Sequence, residues 1–441
     1  MGDRRLDARL IDTLALLAVV LGLTVGASSI AFTMPRDRVV AALGVLALFT
    51  ITLVPLQFVE PEGRTAVLAA LGFITFVTVA RRGLPKADLL TGVLIVAYLA
   101  IAWYSTASAG DPEATPRFLI HAVVGISFYV IGAASSAPER ATLLKALMIM
   151  AGVQVVYAIF EVIVRPPVLW ASPVPEHLAH IGDRLPSELI VGVARAQGTF
   201  GHPLMFSFFL VIALGIALRH TWKTPSRRFW FVALILAGAV MSGSRSALVV
   251  MIAMTLFSLG SRRTAWLRGI ALTVLGLAFL SLTGFFQSEI VDRFSASGSL
   301  SHRVGAFEAL PRLLAQPSEL VWLGHGWYAA PRLSEAGLLQ LDGFVAVDNQ
   351  LIATLAAVGI LGVAIIIVLA LRGIFTSPAA TRVAVLAATA MFLVFDVLQY
   401  PITWGLYALL LGLAASREPK LAAEALSDYS RLDRVPARSS R

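Results

Sequence analysis

The sequence predicts an all-α, polytopic integral membrane protein with about 12–13 transmembrane helices and a large extracytoplasmic loop. Hydrophobic residues make up 58% of the 441 residues, charged residues make up only 14%, and the mean hydropathy is +0.83. In soluble globular proteins, about a quarter of the residues are charged. Apolar segments follow one another along the chain, and most approach the roughly 20 residues that span a bilayer as a helix.

Thirteen apolar segments are candidate spans, and two long loops separate them into three groups. Thirteen full crossings with the C-terminus inside would place Arg4, Arg5 and Arg9 outside, so either the first segment or the short segment 66–80 is a candidate re-entrant helix. The spans lie near 10–33, 39–59, 66–80, 88–106, 117–135, 141–164, 200–218, 229–242, 246–260, 269–286, 346–371, 383–398 and 400–415. The expected organisation is transmembrane helices in 1–164, an extracytoplasmic loop in 165–199, transmembrane helices in 200–286, a larger extracytoplasmic loop in 287–345, transmembrane helices in 346–415 and a basic cytoplasmic tail in 416–441.

The positions of the basic residues orient these loops. Short loops that cross the membrane are poor in Lys and Arg. With the C-terminus inside, the inner segments beyond the third span hold 20 basic residues, whereas the outer segments hold nine although they include both long loops. The long loops are therefore expected to face outward. The net charge of +9 then points to cytoplasmic loops and anionic lipid headgroups, and not to nucleic acid.

The larger loop contains one segment of helical period, at 301–314. Val304, Phe307, Leu310 and Leu314 fall on one side of it, which predicts a short amphipathic helix on the outer membrane surface. Because proline lacks a backbone N–H, Pro311 is expected to interrupt this helix.

Arg245 is the most informative single position. The apolar stretch 229–260 is 32 residues long, and only the segment from Ser242 to Ser246 breaks it. Two helices of roughly 15 residues, each about 22 Å long, would meet there. An arginine in a turn below the membrane surface is costly unless it faces a polar cavity or an anionic partner, which makes Arg245 a candidate site residue. Snorkelling or pairing with an internal carboxylate is the alternative.

Arg195 and Arg303 lie where outer loops meet apolar helices. A guanidinium presents a planar fork of donors that matches phosphate oxygens, and it keeps its charge at any relevant pH. Convergence of these two residues with Arg245 would suit a lipid-linked phosphate or pyrophosphate, and the neighbouring serines and glycines could add further donors. An ordinary solvated charge is the competing interpretation for Arg195 and Arg303.

Three histidines and two aspartates on the outer side are candidates for acid–base chemistry. Asp348 stands at the start of a long apolar helix, so it is either a catalytic carboxylate or a helix cap. His202 precedes Pro203 at the start of another span and could be an interfacial cap, and His325 could serve loop structure only. The full set is His202, His302, His325, Asp342 and Asp348.

Absent motifs narrow the function. The sequence has no Gly-x-x-x-x-Gly-Lys-Ser/Thr loop, no Gly-x-Gly-x-x-Gly after a strand, no His-Glu-x-x-His and no Asp-x-Asp pair for a metal-bound nucleotide sugar. It also lacks cysteine, which excludes thiolate nucleophiles and Cys-based metal sites. Neither a cofactor nor a metal is expected.

Five short motifs follow one another between residues 195 and 365. They are Arg195-x-x-Gly-Thr-Phe-Gly-His-Pro203, Ser242-Gly-Ser-Arg-Ser-Ala247, Ser301-His-Arg-Val-Gly-Ala-Phe307, Leu323-Gly-His-Gly-Trp-Tyr328 and Asp348-Asn-x9-Gly359-Ile-Leu-Gly362. In this order, they resemble the O-antigen ligase and O-antigen polymerase superfamily of bacterial envelope glycan enzymes.

The resemblance implies a metal-independent glycosyltransferase of the bacterial cytoplasmic membrane. Such an enzyme takes a glycan from an undecaprenyl-pyrophosphate carrier on the extracytoplasmic face and attaches it to a hydroxyl of an acceptor glycan or lipid-linked saccharide. Arg245 and Arg303 would engage the pyrophosphate. The family's usual base is a histidine at the start of the later helix, and this chain has Asp348 there, so either Asp348 is the base or another outer residue has taken the role. The residues assigned to substrate binding are Arg195, Arg245, Arg303, His202, His325 and Asn349.

The departure at Asp348 makes a polymerase, or a ligase for another surface glycan, at least as strong an expectation as a strict lipid A core ligase. A transporter or flippase of lipid-linked anionic glycans is the rival of a different class. It would require charged residues near the membrane midplane and pseudo-symmetric halves, whereas the arginines gather at one face and the sequence shows no internal repeat. A purely structural scaffold would leave the arginine at 245 unexplained.

Overall fold

The computed structural model describes residues 21–54, 61–83, 89–166, 187, 189, 193–259, 298–339 and 347–415. Within these residues the protein is a bundle of α-helices without β-strands, which confirms the predicted all-α polytopic fold. The helices are α1 (Leu21–Thr33), α2 (Val39–Leu53), α3 (Pro61–Arg82), α4 (Leu89–Ser108), α5 (Ala114–Ala134), α6 (Ala137–Val164), α7 (Pro203–Arg219), α8 (Pro225–Met241), α9 (Arg245–Leu259), α10 (Gly298–Leu314), α11 (Ser318–Leu323), α12 (Ala330–Glu335), α13 (Gln350–Thr376), α14 (Ala379–Ala390) and α15 (Pro401–Ala415).

Twelve of the thirteen predicted spans overlap one of these helices. The span near 269–286 and the tail 416–441 lie outside the described residues. Among the described helices, five are long and apolar enough to cross a membrane, and α3 is one of them. The estimate of a short segment at 66–80 is therefore corrected, because the helix includes the more polar residues on both sides of the apolar run. The protein is a multi-pass membrane protein.

Helices α5 and α15 form the centre of the bundle. Every residue of α15 is buried, and it packs closely against α5 through glycines. A Cβ atom on Gly132 would lie 2.6 Å from the backbone oxygen of Leu409, so only glycine permits this approach. A Cβ atom on Gly215 of α7 would likewise lie 2.8 Å from the Cα of Ala384 of α14. Small residues at such crossings are the usual way in which membrane helices pack.

Two networks of hydrogen bonds define the two ends of the bundle. At one end, the carboxylate of Glu139 accepts from the backbone N–H of Val40 at 3.0 Å and from Arg82 at 2.6 Å, which joins the start of α2, the end of α3 and the start of α6. At the other end, the hydroxyl of Thr199 donates to the backbone oxygen of Thr52 at the end of α2. We call this second end the site end, because it also carries the turn between α8 and α9.

Helix α10 packs on the first half of α13, and one expectation for it is corrected. Its buried side includes Ala306 and Leu313, whereas Phe307 and Leu314, on the predicted apolar side, are 54% and 49% exposed. These two side chains remain available to contact a membrane surface, and the location of the helix on that surface stays a prediction. The corrected expectation is the interruption, because the helix continues through Pro311 to its last turn, where a proline costs one hydrogen bond without ending the helix.

Candidate functional site

The turn between α8 and α9 is built by serines and one glycine, as the break in the apolar stretch predicted. Gly243 has a φ of +65°, which favours glycine. The hydroxyl of Ser242 donates to the backbone oxygen of Ala239 and accepts from the hydroxyl of Ser207 at 2.8 Å, so it holds the turn and is engaged within the protein. The hydroxyl of Ser244 accepts from the backbone N–H of Ala247 at 3.4 Å and caps α9.

Arg195 and Arg245 meet at this turn. The Nε of Arg195 donates to the backbone oxygen of Ser242 at 2.9 Å, and a Cβ atom on Gly243 would lie 2.9 Å from the Cγ of Arg195. Arg245 is the first residue of α9, and both arginines are half-buried. The N-terminus of a helix carries partial positive charge and is a common place for anions to bind, and both arginines lie at this helix N-terminus. Arg195 is therefore not an ordinary solvated charge.

The residues that follow Arg195, at the end of the predicted loop 165–199, re-enter the bundle. The carboxylate of Glu161 on α6 accepts from the backbone N–H groups of Gln197 at 3.2 Å and Gly198 at 2.7 Å. Gln154, which precedes Glu161 on α6, exchanges two hydrogen bonds with Thr199. Buried polar groups must find such partners in an apolar core. This anchor explains the Gln-Gly-Thr part of the motif.

His202 caps α7 and connects the arginine turn with a second group of residues. Its Nδ1 accepts from the backbone N–H of Leu204 at 3.2 Å, as the capping interpretation predicted. Its ring stacks on Tyr400, with 6.4 Å between ring centroids and an interplanar angle of 16°. Burial and the positive charge of Arg195 lower the pKa of His202 to about 4, so it is neutral at physiological pH.

Asn349, and not Asp348, caps helix α13. The side-chain oxygen of Asn349 accepts from the backbone N–H groups of Leu351 at 3.0 Å and Ile352 at 3.2 Å, and the residue is 2% exposed. Asn349 is a predicted substrate-binding residue, and in the structure its side-chain oxygen caps the helix. Asp348 precedes the cap and is half-buried. Because Asn349 is the cap, Asp348 does not cap this helix.

Asp396 is a buried carboxylate that the sequence interpretation missed. It lies between α14 and α15 and is 8% exposed. Burial raises its pKa well above the usual value, and the negative charge of Asp348 raises it further, so the two carboxyl groups are electrostatic neighbours. The prediction of one continuous span over 383–398 is corrected here. In the structure α14 ends at Ala390, and the sequence signal for this turn is Asp396 together with Gln399-Tyr-Pro401 three residues later.

A cavity of about 380 Å³ opens beside Asp396 and Tyr400. Its walls are mostly apolar, with a few polar groups, as is usual for small-molecule sites. Val347, the neighbour of Asp348, forms part of the wall. The lining residues are Tyr328, Ala329, Ala330, Pro331, Val347, Ala353, Ala356, Ala357, Asp396, Gln399 and Tyr400.

His325 belongs to a tight crossing between its loop and a kink in α13. Gly359 has a φ of +71° and interrupts the helix, and the carbonyl groups of Ala356 and Ala357 accept from the backbone N–H groups of His325 at 2.8 Å and Gly326 at 3.0 Å. The Leu-Gly-His-Gly motif is thus explained by backbone contacts with the kink.

The side chain of His325 lines a separate cavity of about 360 Å³ that also contains Arg332. Partial burial and the charge of Arg332 lower the pKa of His325. The structure does not place His325 in the wall of the cavity beside Asp396. Arg303 and His302 lie in helix α10, but their side chains are outside the described part of the structure, and so is Asp342.

Residues 230–367 match the sequence profile of O-antigen ligase. This segment belongs to the O-antigen ligase family. The predicted resemblance is confirmed for this segment, and the match supports a role in O-antigen ligase- or polymerase-like glycan biosynthesis. No curated protein matches the chain.

The O-antigen ligase segment includes only part of the residues that gather at the site end. It contains Arg245, Arg303, His325 and Asp348, and it ends within α13. Arg195 and His202 precede it, whereas Asp396 and Tyr400 follow it. The folded bundle places Arg195 at the turn that carries Arg245 and Asp396 near Asp348, and His202 and Tyr400 stack between these two places.

Proposed function

We propose that the protein transfers a glycan from an undecaprenyl-pyrophosphate carrier to an acceptor hydroxyl on the extracytoplasmic face of the bacterial cytoplasmic membrane. One structural relationship carries the proposal. The arginine turn at the start of α9 is linked through Arg195, His202 and Tyr400 to the pair of carboxyl groups at Asp348 and Asp396. An anion site and a proton acceptor are the two parts that this reaction requires.

Arg195 and Arg245 bind the pyrophosphate of the donor. Charge develops on the leaving pyrophosphate as its bond to the sugar breaks, and preorganised cations at a helix N-terminus stabilise that charge. The hydrogen bond from Arg195 to Ser242 fixes the guanidinium before the donor arrives. Arg303 is assigned to the same group from the motif in α10.

Asp348 accepts the proton of the acceptor hydroxyl. The acceptor oxygen forms a bond to the anomeric carbon while the bond from that carbon to the pyrophosphate oxygen breaks. The electron pair leaves with undecaprenyl pyrophosphate, and the acceptor proton moves to the carboxylate of Asp348. Pyrophosphate is a good leaving group, so this step draws its energy from the lipid-linked donor and requires no nucleotide.

Asp396 keeps the base in its charged form. Two carboxyl groups in one poorly solvated site do not both ionise readily, and the more buried one retains its proton. Asp396 is the more buried of the two. A neutral Asp396 adds no charge repulsion to the negative form of Asp348.

The test is glycan transfer by the purified full chain in nanodiscs, with a synthetic undecaprenyl-pyrophosphate glycan, an acceptor saccharide and a chelator. We expect product and free undecaprenyl pyrophosphate in equal amounts. Arg245→Lys keeps the charge but loses the planar fork, and should lower kcat/KM for the donor on the order of 10²-fold. The matched control is Arg227→Lys, an exposed arginine at the far end of α8. A chain that moves the donor across the bilayer without forming product would be a flippase and would contradict the proposal.

A further inference from the structure

Tyr328 has an unusual backbone conformation beside the cavity of Asp396. Its φ is +62°, in the left-handed region that bulky residues rarely occupy. Such strain persists only where surrounding contacts enforce it, and it is found preferentially at functional sites. The Tyr328 ring is one of the walls of the cavity. The position of this ring is therefore maintained against a conformational preference.

Contacts on several sides hold the Tyr328 ring. The guanidinium of Arg117 lies 5.4 Å from the ring centroid, and the ring of His121 meets it edge to face at 5.9 Å. Its hydroxyl donates to the backbone oxygen of Gln399 at 3.5 Å, and the same oxygen contacts Nε2 of His121 at 2.6 Å. The ring is a fixed platform before any ligand binds.

The other polar groups of the cavity complete a pattern for one class of ligand. Phe395 and His202 both stack on Tyr400, so Tyr400 contributes mainly its edge and hydroxyl. The side-chain amide of Gln399 also lines the cavity and makes no hydrogen bond within the described part of the chain. An aromatic platform, an amide and a carboxyl group together match a pyranose, which has a face of C–H bonds and a rim of hydroxyls.

We propose that the cavity of about 380 Å³ binds a neutral sugar ring of the acceptor, with its C–H face on Tyr328 and its hydroxyls at Gln399 and Asp396. This inference rests on the proposed function and names the acceptor side of the same site. The cavity suits the acceptor because Val347 brings its wall next to Asp348, the proposed base. The carboxylate of Asp348 disfavours the anionic pyrophosphate, which belongs to the arginine turn beyond His202.

Binding can be measured without glycan transfer, because the native chain has no cysteine. Ala330→Cys places a thiol in the cavity wall, and Ser108→Cys places one in the separate cavity of His325. The probes are methyl glycosides of neutral hexoses, of a deoxyhexose and of an N-acetylhexosamine. At least one should slow maleimide labelling of the Ala330→Cys protein severalfold and leave the Ser108→Cys protein unaffected. Equal labelling of Ala330→Cys with and without every glycoside would overturn the proposal.

Two variants assign the binding to specific side chains. Tyr328→Asn removes the platform, and asparagine tolerates the left-handed conformation, so the substitution adds no backbone strain. It should abolish protection of Ala330→Cys and raise the acceptor KM about tenfold without changing the donor KM. Gln399→Leu removes the amide but keeps the backbone oxygen that Tyr328 and His121 contact, and should weaken protection similarly. Tyr104→Leu, at an exposed tyrosine of α4, is the control.

These measurements separate the two proposals. Protection of Ala330→Cys by a glycoside in a protein that transfers no glycan would support the sugar site and contradict the proposed transfer. An equal rise in donor and acceptor KM in Tyr328→Asn would indicate a general structural role and would overturn the assignment of Tyr328 to the acceptor sugar.

Discussion

The Nε of Arg195 donates to the backbone oxygen of Ser242 at 2.9 Å, and this contact joins two motifs that lie 47 residues apart in the chain. It fixes a guanidinium at the N-terminus of α9, next to Arg245. Because the contact uses Nε, Arg195→Lys keeps the positive charge but loses the contact. We expect the donor KM to rise about tenfold, since a hydrogen bond from a charged group is worth at least about 1.5 kcal/mol.

The measurement is initial-rate kinetics at varied donor concentration, with Arg38→Lys as the control at an exposed arginine of the opposite end. An unchanged donor KM in Arg195→Lys would show that the contact with Ser242 does not organise the donor site.

The cap of α13 gives a prediction about stability. Asn349→Ala removes the side-chain oxygen that two backbone N–H groups use, and should lower the free energy of unfolding by about 1 kcal/mol. Asp348→Ala should change stability much less, because Asp348 is not the cap. The apparent Tm of both variants in detergent checks this. A larger loss of Tm in Asp348→Ala than in Asn349→Ala would return the capping role to Asp348.

The kink of α13 gives a second stability prediction. Gly359 has a φ of +71°, and a Cβ atom there would clash with the backbone of Trp322. Gly359→Ala should therefore destabilise the protein by more than about 1 kcal/mol. Gly72→Ala is the matched control, because its Cβ would meet nothing within 4 Å in an ordinary helix. Thermal unfolding of the two variants side by side is the measurement, and equal Tm values would refute the steric account of the kink.

The sequence predicted the short hairpin of α8 and α9 because a local signal, a Ser-Gly-Ser break in an apolar stretch, is enough to mark a turn. It could not predict the contact of Arg195 with Ser242 or the crossing of Gly324 and Gly359, because these depend on how distant helices pack. Asp396 was missed for another reason. Mean hydropathy over a window conceals a single carboxylate, although Gln399-Tyr-Pro401, three residues further on, is a local signal for a helix boundary.

The orientation of the site end in the membrane is a prediction from the distribution of basic residues. The native chain has no cysteine, so single introduced cysteines permit a direct test. Glu335→Cys, exposed on α12 at the site end, should react with a membrane-impermeant maleimide added to intact cells, whereas Ser226→Cys, exposed at the start of α8, should react only after lysis. The opposite labelling pattern would place the arginine turn on the cytoplasmic side and contradict the proposed reaction.

The role of Asp348 as the base is the central claim, and one substitution tests it most directly. Asp348→Asn removes the proton acceptor with almost no change in volume, and Asn349 continues to cap the helix. The measurement is the turnover of glycan transfer in nanodiscs with a lipid-pyrophosphate donor and a chelator, together with donor binding. We predict a loss of kcat on the order of 10²-fold or more with donor binding retained. In the parent protein, kcat should fall as the pH is lowered, because protonated Asp348 cannot accept the acceptor proton. An Asp348→Asn protein that turns over like the parent would contradict the account.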